Sequence, residues 1–225
     1  MSVVVVHGQP LGPFETNCYV VCTRPAPGQP LDPACFLVDP GYQPGPVLHY
    51  MKEHGLHPEA IVLTHAHADH ILGLEVARQA FPQAPVLAHS AERAFFGDPE
   101  LNLSAFAGMP FSAREPTDDL FDGQELTLNS TRWKVLHTPG HSPGGVTLVC
   151  AGARTALVGD TLFAGSIGRS DFPTSSPADL HRSLHQVLMA LPDDTAVHPG
   201  HGPATTIGRE RATNPFLRDS SWATG

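Results

Sequence analysis

The chain of 225 residues carries 13 lysines and arginines against 22 aspartates and glutamates, which gives a formal net charge of −9. This length, with 41% hydrophobic residues, predicts a single domain over residues 1–225 with a substantial core. The acidic balance, without a basic cluster, argues against nucleic acid as a partner, because phosphate neutralisation supplies most non-specific affinity. No apolar run reaches the ~20 residues that cross a bilayer, so no membrane span is predicted.

The content of special residues narrows the class of protein. The 4 cysteines form no C-x-x-C pair and are too few for a disulfide scaffold, so a reducing cytoplasm is the expected location. The 23 prolines and 21 glycines predict many loops, and residues 97–117 have the least periodicity of any segment. Histidine is unusually frequent, with 14 copies.

Short apolar or β-branched runs bounded by turn residues predict ten strands. The first of them, residues 3–6, is four consecutive valines and is expected to be a buried strand. The ten predicted strands are residues 3–6, 18–22, 35–38, 61–63, 86–88, 125–128, 133–136, 146–150, 156–158 and 195–197.

Helical periodicity lies between these runs. It is clearest over residues 177–191, where five apolar residues mark one face, Ser176 is placed to cap the first turn, and Pro177 suits that turn. Weaker helices are predicted at residues 47–54, 70–80 and 207–217. Hairpins and βα crossovers are mixed, so we predict an α+β fold with two mixed sheets packed face to face and helices outside.

The segment THAHADH, which follows the predicted strand at residues 61–63, is the most informative part of the sequence. His65, His67, Asp69 and His70 place four metal-competent side chains within six residues. In an extended loop, alternation sends His65 and His67 to the same side, while Asp69 and His70 at a helix start turn toward a second point. That arrangement suits two metals.

Three further candidate ligands each follow a predicted strand in a turn rich in glycine or proline. They are His141 in HTPGHSPGG, Asp160 in LVGDTLF and His201 in HPGHGPAT. Strand ends that deliver histidine and aspartate to one rim are a common way to build a metal site from distant sequence.

With these residues in place, the sequence resembles the metallo-β-lactamase-fold hydrolases. GDTLFAGSIGRSDFP and the ending HPGHGPATTIGRERATNPFL resemble more narrowly the short bacterial glyoxalase II-like enzymes, the hydroxyacylglutathione hydrolases. The resemblance implies a four-layer αββα sandwich with metals at one edge of the sheets. The segment after His201 is too short for the separate C-terminal helical domain of full-length glyoxalase II, so the thiol that is recognised stays open.

The resemblance also implies roles for seven residues. Asp69 and Asp160 are the carboxylates of the set and the expected catalytic residues. Two divalent ions are implied, most simply Zn²⁺, with iron or manganese as alternatives. The implied ligands are His65, His67 and His141 for one metal, Asp69, His70 and His201 for the other, and Asp160 as the bridge.

Two residues have weaker support. Arg169, in GRSDF, is either a solvated loop residue or, as the resemblance suggests, a contact for the acidic tail of a substrate. Asp39, in VDPG, either caps a turn or orients a ligand histidine. The remaining histidines are expected to be structural or surface residues, and direct coordination is not expected of His137 or His198, which precede the ligand loops.

The expected reaction follows from the ligand set. Two metals that share a carboxylate and a water lower the pKa of that water to ~7, so hydroxide can attack a thioester carbonyl at neutral pH. S-D-lactoylglutathione or a related small acyl thioester is the favoured substrate.

The strongest alternative is a persulfide dioxygenase, which the resemblance says holds one iron through two histidines and an aspartate, here His65, His141 and Asp160. Phosphodiester, lactone or β-lactam hydrolysis are weaker alternatives that use the same metals. The oligomeric state is not predicted.

Overall fold

Two six-stranded sheets form the centre of the protein in the computed structural model, which describes residues 2–219 and 221–224. The first sheet has the order β1-β2-β3-β4-β5-β6 and the second β14-β13-β10-β9-β8-β7, with β11 and β12 as a separate ribbon. The strands are Val3–Leu11 (β1), Thr16–Arg24 (β2), Ala34–Val38 (β3), His57–Val62 (β4), Val86–His89 (β5), Asp118–Leu120 (β6), Glu125–Leu128 (β7), Thr131–His137 (β8), Val146–Cys150 (β9), Thr155–Gly159 (β10), Leu162–Phe163 (β11), Ser166–Ile167 (β12), Ala196–Pro199 (β13) and Thr205–Thr206 (β14).

Both large sheets are mixed, as the sequence predicts. In the first, β1, β2 and β3 pair antiparallel and β3 to β6 pair parallel. In the second, β10 and β13 pair parallel and the other pairs are antiparallel. The α-helices are Gly45–Glu53 (α1), Ala68–Ile71 (α2), Leu74–Ala80 (α3), Pro177–Arg182 (α4), Ile207–Thr213 (α5) and Pro215–Arg218 (α6).

Three apolar clusters show that the elements stack in four layers. The alternation of side chains along β2 sends Val20 into a cluster with helices α1 and α3, and Val21 into a cluster shared with the second sheet. Trp133, on β8, is fully buried in this middle layer. A third cluster packs α4 and α5 on the outer face of the second sheet. The αββα sandwich predicted from the sequence is therefore confirmed.

The prediction of a buried first strand is wrong. β1 is the edge strand of its sheet and pairs with β2 alone. Val3 is 37% exposed. The four valines thus reflect β propensity rather than burial. The strands β6, β11, β12 and β14 have two or three residues each and were not predicted, because such short elements show no periodicity.

The predicted helices are interrupted where local chemistry requires it. The helix predicted at residues 70–80 divides into α2 and α3 around Gly73, whose missing side chain leaves room for the Gly41 carbonyl. The helix at 207–217 breaks at Asn214, because Pro215 has no N–H to continue it. The segment predicted at 177–191 is helical up to Ala190 but changes from α4 to a π turn, Ser183–Val187, and a 3₁₀ turn, Leu188–Ala190.

The strand ends define where a site can form. The parallel strands β3 and β4 of the first sheet, and β10 and β13 of the second, end at one edge of the sandwich, and the predicted ligand segments follow β4, β10 and β13 directly. In residues 2–219 and 221–224, no helix has both the length and the apolar character to span a bilayer.

Candidate metal centre

All seven predicted ligands converge at this edge. His65 and His67 lie in the extended turn after β4, and Asp69 and His70 lie in the short helix α2. His141, Asp160 and His201 arrive from the turns that follow β8, β10 and β13. Four segments of sequence therefore build the site. The loop after β4 supplies four side chains, and the turns after three other strands supply one each.

The side chains form two groups that meet at one carboxylate. The ligand atoms of His65, His67 and His141 lie within 4.8 Å of one another, and those of Asp69, His70 and His201 form a second group by the same measure. Asp160 lies between the groups: its Oδ2 is 3.6 Å from His141 Nε2 and 3.4 Å from His201 Nε2. Its Oδ1 is 3.4 Å from His70 Nε2.

The residues fit a metal centre because several of their inward atoms lack hydrogen-bond partners. In the part of the chain that the structure describes, three buried atoms at the centre have no hydrogen-bond partner: the Nε2 atoms of His65 and His70 and the Oδ1 atom of Asp160. His67 faces the group through Nδ1, which lies 2.9 Å from His141 Nε2. Buried polar atoms without partners are costly, so a ligand is expected to satisfy them. Imidazole nitrogens and carboxylate oxygens suit zinc or iron.

Hydrogen bonds on the outer ring nitrogens orient the histidines. The Nδ1 atoms of His70, His141 and His201 lie 3.0 Å, 2.8 Å and 3.0 Å from Asp39 Oδ2, the Arg169 carbonyl and the Phe14 carbonyl, respectively. An acceptor at Nδ1 holds the proton there and leaves Nε2 free to bind a metal. For three of the five predicted ligand histidines, these contacts therefore direct Nε2 toward the centre and set the tautomer that the neutral ring adopts.

Asp39 lies beneath the second group. This residue has a left-handed φ of 50° directly after β3, and its side chain is almost fully buried. It accepts hydrogen bonds from Thr64 N at 2.7 Å, from Thr64 Oγ1 at 2.6 Å and from the His70 ring. Of the two roles considered for Asp39, the contact with His70 favours orientation of a ligand histidine over a simple turn cap.

The two groups differ in their electrostatics. Burial, together with neighbouring histidines, lowers the pKa of His65 well below its usual value and that of His67 to about 3, so these rings are neutral and free to bind metal. Burial also lowers the pKa of His141, although the nearby Asp160 partly offsets this.

In the second group, nearby carboxylates outweigh burial and raise the pKa values of the histidines. Burial of His70 opposes its charge, but Asp69, Asp160 and Asp39 raise its pKa well above the usual value. Burial of His201 is likewise outweighed by hydrogen bonds to Asp160 and Asp69, which raise its pKa to about 10. Burial raises the pKa of Asp69, but His70 and His201 bring it down to about 2.

Glu92 is a functional candidate that the sequence analysis missed. The side chain is 1% exposed and accepts hydrogen bonds from Gly144 N at 2.8 Å and from Ala66 N. Ala66 lies between two ligand histidines and Gly144 follows His141, so one carboxylate joins both loops of the first group. Gly144 permits this approach, because a Cβ there would lie 2.8 Å from Glu92 Cγ. Glu92 lies in a 3₁₀ segment, Ser90–Phe96, and no motif in the sequence marks it.

Arg169 lies at the site but is not free. Its side chain is 66% exposed, pairs with Asp171 at 2.9 Å and stacks over the Phe172 ring at 4.4 Å. Its carbonyl, rather than its guanidinium, contacts the ligand His141. A substrate contact by this side chain stays a prediction.

His137 and His198 have partners away from the centre. His137 stacks on His89 with ring centroids 4.2 Å apart, and its Nε2 lies 2.9 Å from the Pro143 carbonyl. His198 contacts Thr155 and Tyr19. Neither belongs to a metal-competent group in residues 2–219 and 221–224.

A cavity of about 490 Å³ opens onto both groups. Its floor includes the ligands His67, Asp69, His141, Asp160 and His201, and the segment 97–117 forms part of its wall through residues 102–104, 106, 107 and 109. The segment with the least periodicity in the sequence therefore borders the site.

Comparisons with known proteins agree with this geometry. A family model described as the metallo-beta-lactamase superfamily matches residues 11–201. The chain is 38% identical over 214 residues to the probable metallo-hydrolase YqgX of Bacillus subtilis (strain 168), covering 94% of this chain and 97% of that protein. It is 30% identical over 223 residues to the hydroxyacylglutathione hydrolase GloC of Haemophilus influenzae, covering 94% and 97%.

Two solved structures resemble this fold along the whole chain. The crystal structure of BLEG-1 B3 metallo-beta-lactamase has a TM-score of 0.88 at 38% identity, covering 96% of this chain and 100% of that one. The crystal structure of TTHA1623 in a di-iron-bound form has a TM-score of 0.79 at 37% identity, covering 94% and 100%.

Proposed function

The chain belongs to the metallo-β-lactamase superfamily and is a metallo-hydrolase of that superfamily, and from its site we propose that it hydrolyses small acyl thioesters with two divalent metal ions. The observation that carries the proposal is the pair of ligand groups that share Asp160. A mononuclear enzyme has no need for the second group, Asp69, His70 and His201. Zn²⁺ is the metal that we propose first, and the di-iron form of TTHA1623 makes iron the main alternative.

Two metals held by these residues would supply hydroxide at neutral pH and polarise a carbonyl oxygen. The chain's own residues position these events. Asp160 reaches both groups, and Asp69 Oδ2 accepts a hydrogen bond of 2.8 Å from Thr16 Oγ1 that fixes its direction. Thr16 lies at the start of β2, so the rigid sheet holds the second group in place.

The proposed reaction adds water across the C–S bond of a thioester. The water oxygen bonds to the carbonyl carbon, the C–S bond breaks, and a carboxylic acid and a free thiol result. A thiolate is a good leaving group, so no dedicated general acid is required. The resemblance to GloC supports a thioester, and S-D-lactoylglutathione is the reference substrate that we propose.

The surroundings of the site support a small-molecule partner. The cavity of about 490 Å³ has the size of a small-molecule pocket. All four cysteines are free and buried in the described part of the chain, which supports the proposed cytoplasmic location.

The test is thioester hydrolysis by the protein loaded separately with zinc, iron and manganese. We expect S-D-lactoylglutathione or another small thioester to be turned over at an ordinary enzymatic rate, about 1–10³ per second, with at least one metal. A matched control is His57→Ala, which removes an exposed histidine on β4 outside the site. Oxygen uptake with glutathione persulfide and no thioester hydrolysis would favour the persulfide dioxygenase instead.

A further inference from the structure

Apart from the ligands, most of the cavity wall is apolar. The side chains that form it come from the loop before β2, the segment 97–117, the β11 strand and the turn after β12. They are Phe14, Leu103, Phe106, Met109, Phe163 and Phe172. A wall of this kind recognises apolar groups by removing them from water.

Three of these side chains form an unusually exposed rim. Phe14, Phe106 and Met109 are 40%, 72% and 40% exposed. Large apolar side chains grouped at the mouth of a cavity usually mark a binding surface, because their exposure to water is unfavourable. The ligand that covers them must itself be apolar.

The scarcity of cationic side chains in the cavity lining also favours an apolar ligand. Among the described residues that line the cavity, Arg169 is the single lysine or arginine. Its guanidinium already pairs with Asp171 and stacks on Phe172. The wall therefore offers no free cation to a carboxylate-rich group, and a polar hydroxyacyl group gains little from it.

The wall is also pre-formed. Asn102, fully buried, donates through Nδ2 to the Phe95 and Phe111 carbonyls at 2.9 Å and 3.0 Å, which fixes the base of the segment 97–117. The Asn102 carbonyl accepts a hydrogen bond of 2.8 Å from Ala68 N, at the start of α2 beside the ligand His67. The part of the wall formed by the segment 97–117 is thus tied directly to the ligand loop.

We propose that the enzyme selects thioesters whose acyl group is an apolar chain over thioesters of short or polar acyl groups, and that Phe106 and Met109 form the wall that binds this chain. This inference rests on the proposed thioester hydrolysis and names its substrate class. Full burial of one methylene is worth about fourfold in the specificity constant, so even partial burial of the additional methylenes of a hexanoyl group gives about tenfold or more over acetyl.

The experiment compares acetyl, lactoyl and hexanoyl thioesters of one neutral thiol, N-acetylcysteamine, so that only the acyl group changes. We expect kcat/KM for hexanoyl to exceed that for acetyl by about tenfold or more. In the double variant Phe106→Ala/Met109→Ala the ratio should fall to about one, whereas Phe106→Leu should retain most of it. Phe121→Ala, which removes an exposed phenylalanine outside the cavity, should leave the ratio unchanged.

The outcomes separate this inference from the proposed function. Equal kcat/KM for acetyl and hexanoyl thioesters overturns the apolar acyl selection and leaves thioester hydrolysis in place. A hexanoyl preference that survives in the double variant overturns the assignment to Phe106 and Met109. No hydrolysis of any thioester by metal-loaded protein with native thermal stability overturns both.

Discussion

Asp39 and His70 share a hydrogen bond of 3.0 Å, from His70 Nδ1 to Asp39 Oδ2, at the buried base of the second ligand group. The ring is fully buried, so this contact determines which way its Nε2 points. Asp39 is itself fixed by two hydrogen bonds from Thr64, the residue that precedes His65. The strand end at β3 therefore aligns ligands on the neighbouring strand end, β4.

Asp39→Asn should weaken the second metal site without unfolding the protein. Asparagine tolerates the left-handed φ at this position, but its amide is neutral and one of its terminal atoms is a donor. Loss of such an outer partner typically costs 10–100-fold in metal affinity or activity. Metal content after dialysis and kcat/KM measure the effect, with melting temperature as the check on folding. Wild-type values for both would show that Asp39 only caps the turn.

His70→Ala should leave one tightly bound metal instead of two. The substitution removes a fully buried ligand of the second group and leaves His65, His67 and His141 intact. We expect turnover to fall by at least about a hundredfold, because the two-metal mechanism is lost. Elemental analysis of metal per chain gives the stoichiometry, with His57→Ala as the matched control. Near-normal turnover in His70→Ala would contradict the two-metal mechanism.

Glu92→Gln should loosen the first ligand group. The glutamine amide cannot accept all the hydrogen bonds that reach both carboxylate oxygens from Ala66 N and Gly144 N. An unsatisfied buried donor costs about 1–3 kcal/mol, part of which should appear as weaker metal binding by His65, His67 and His141. Competition with a chelator measures this affinity. Gly144→Ala should also weaken metal binding by the first group, because its added Cβ would press on Glu92.

If Glu92→Gln lowers the melting temperature and leaves metal affinity unchanged, Glu92 is a structural residue alone. In that case, a chelator should remove metal from both ligand groups of Glu92→Gln at the same rate. A selective loss from the first group, with the second group retained, is the result that a positioning role predicts.

Metal binding should release protons from the second group and not from the first. In the metal-free protein the pKa of His201 is about 10 and that of His70 is well above its usual value, so both rings are protonated at pH 7. The rings of the first group have lowered pKa values and carry no proton to lose. The affinity of the second site should therefore fall as the pH decreases.

Calorimetry in two buffers of different ionisation enthalpy measures the protons released per metal. We expect the second equivalent of metal to release about two more protons from the rings than the first, in addition to the proton lost by the metal-bound water. Equal proton release in both steps would contradict the assignment of these charges.

Much of the fold was predictable because its signals are local. The strands β7 and β9 were predicted with their observed bounds, since turn residues flank each of them. The burial of β1 was not predictable, because a run of valines looks the same at an edge as in the centre of a sheet. The breaks in the helices depend on contacts such as that between Gly73 and Gly41, which bring distant residues together.

Some residues of the site could be predicted from the sequence and others could not. The seven predicted ligands, which the structure brings together, could be named because their residue types and strand-end positions are visible in the sequence. Glu92 was missed because its role depends on two backbone N–H groups, of Ala66 and Gly144, that no sequence pattern displays. Half of the apolar wall, Leu103, Phe106 and Met109, lies in the segment 97–117, whose irregular loop shows no periodicity to interpret.

We propose that a thioester is hydrolysed with two metals held by these ligand groups. The most direct test is a titration of the metal-free protein with Zn²⁺, in which thioester hydrolysis is followed against metal equivalents per chain. We predict that activity rises to its plateau at two equivalents. A plateau at one equivalent, or no thioester hydrolysis at any ratio, would contradict the account.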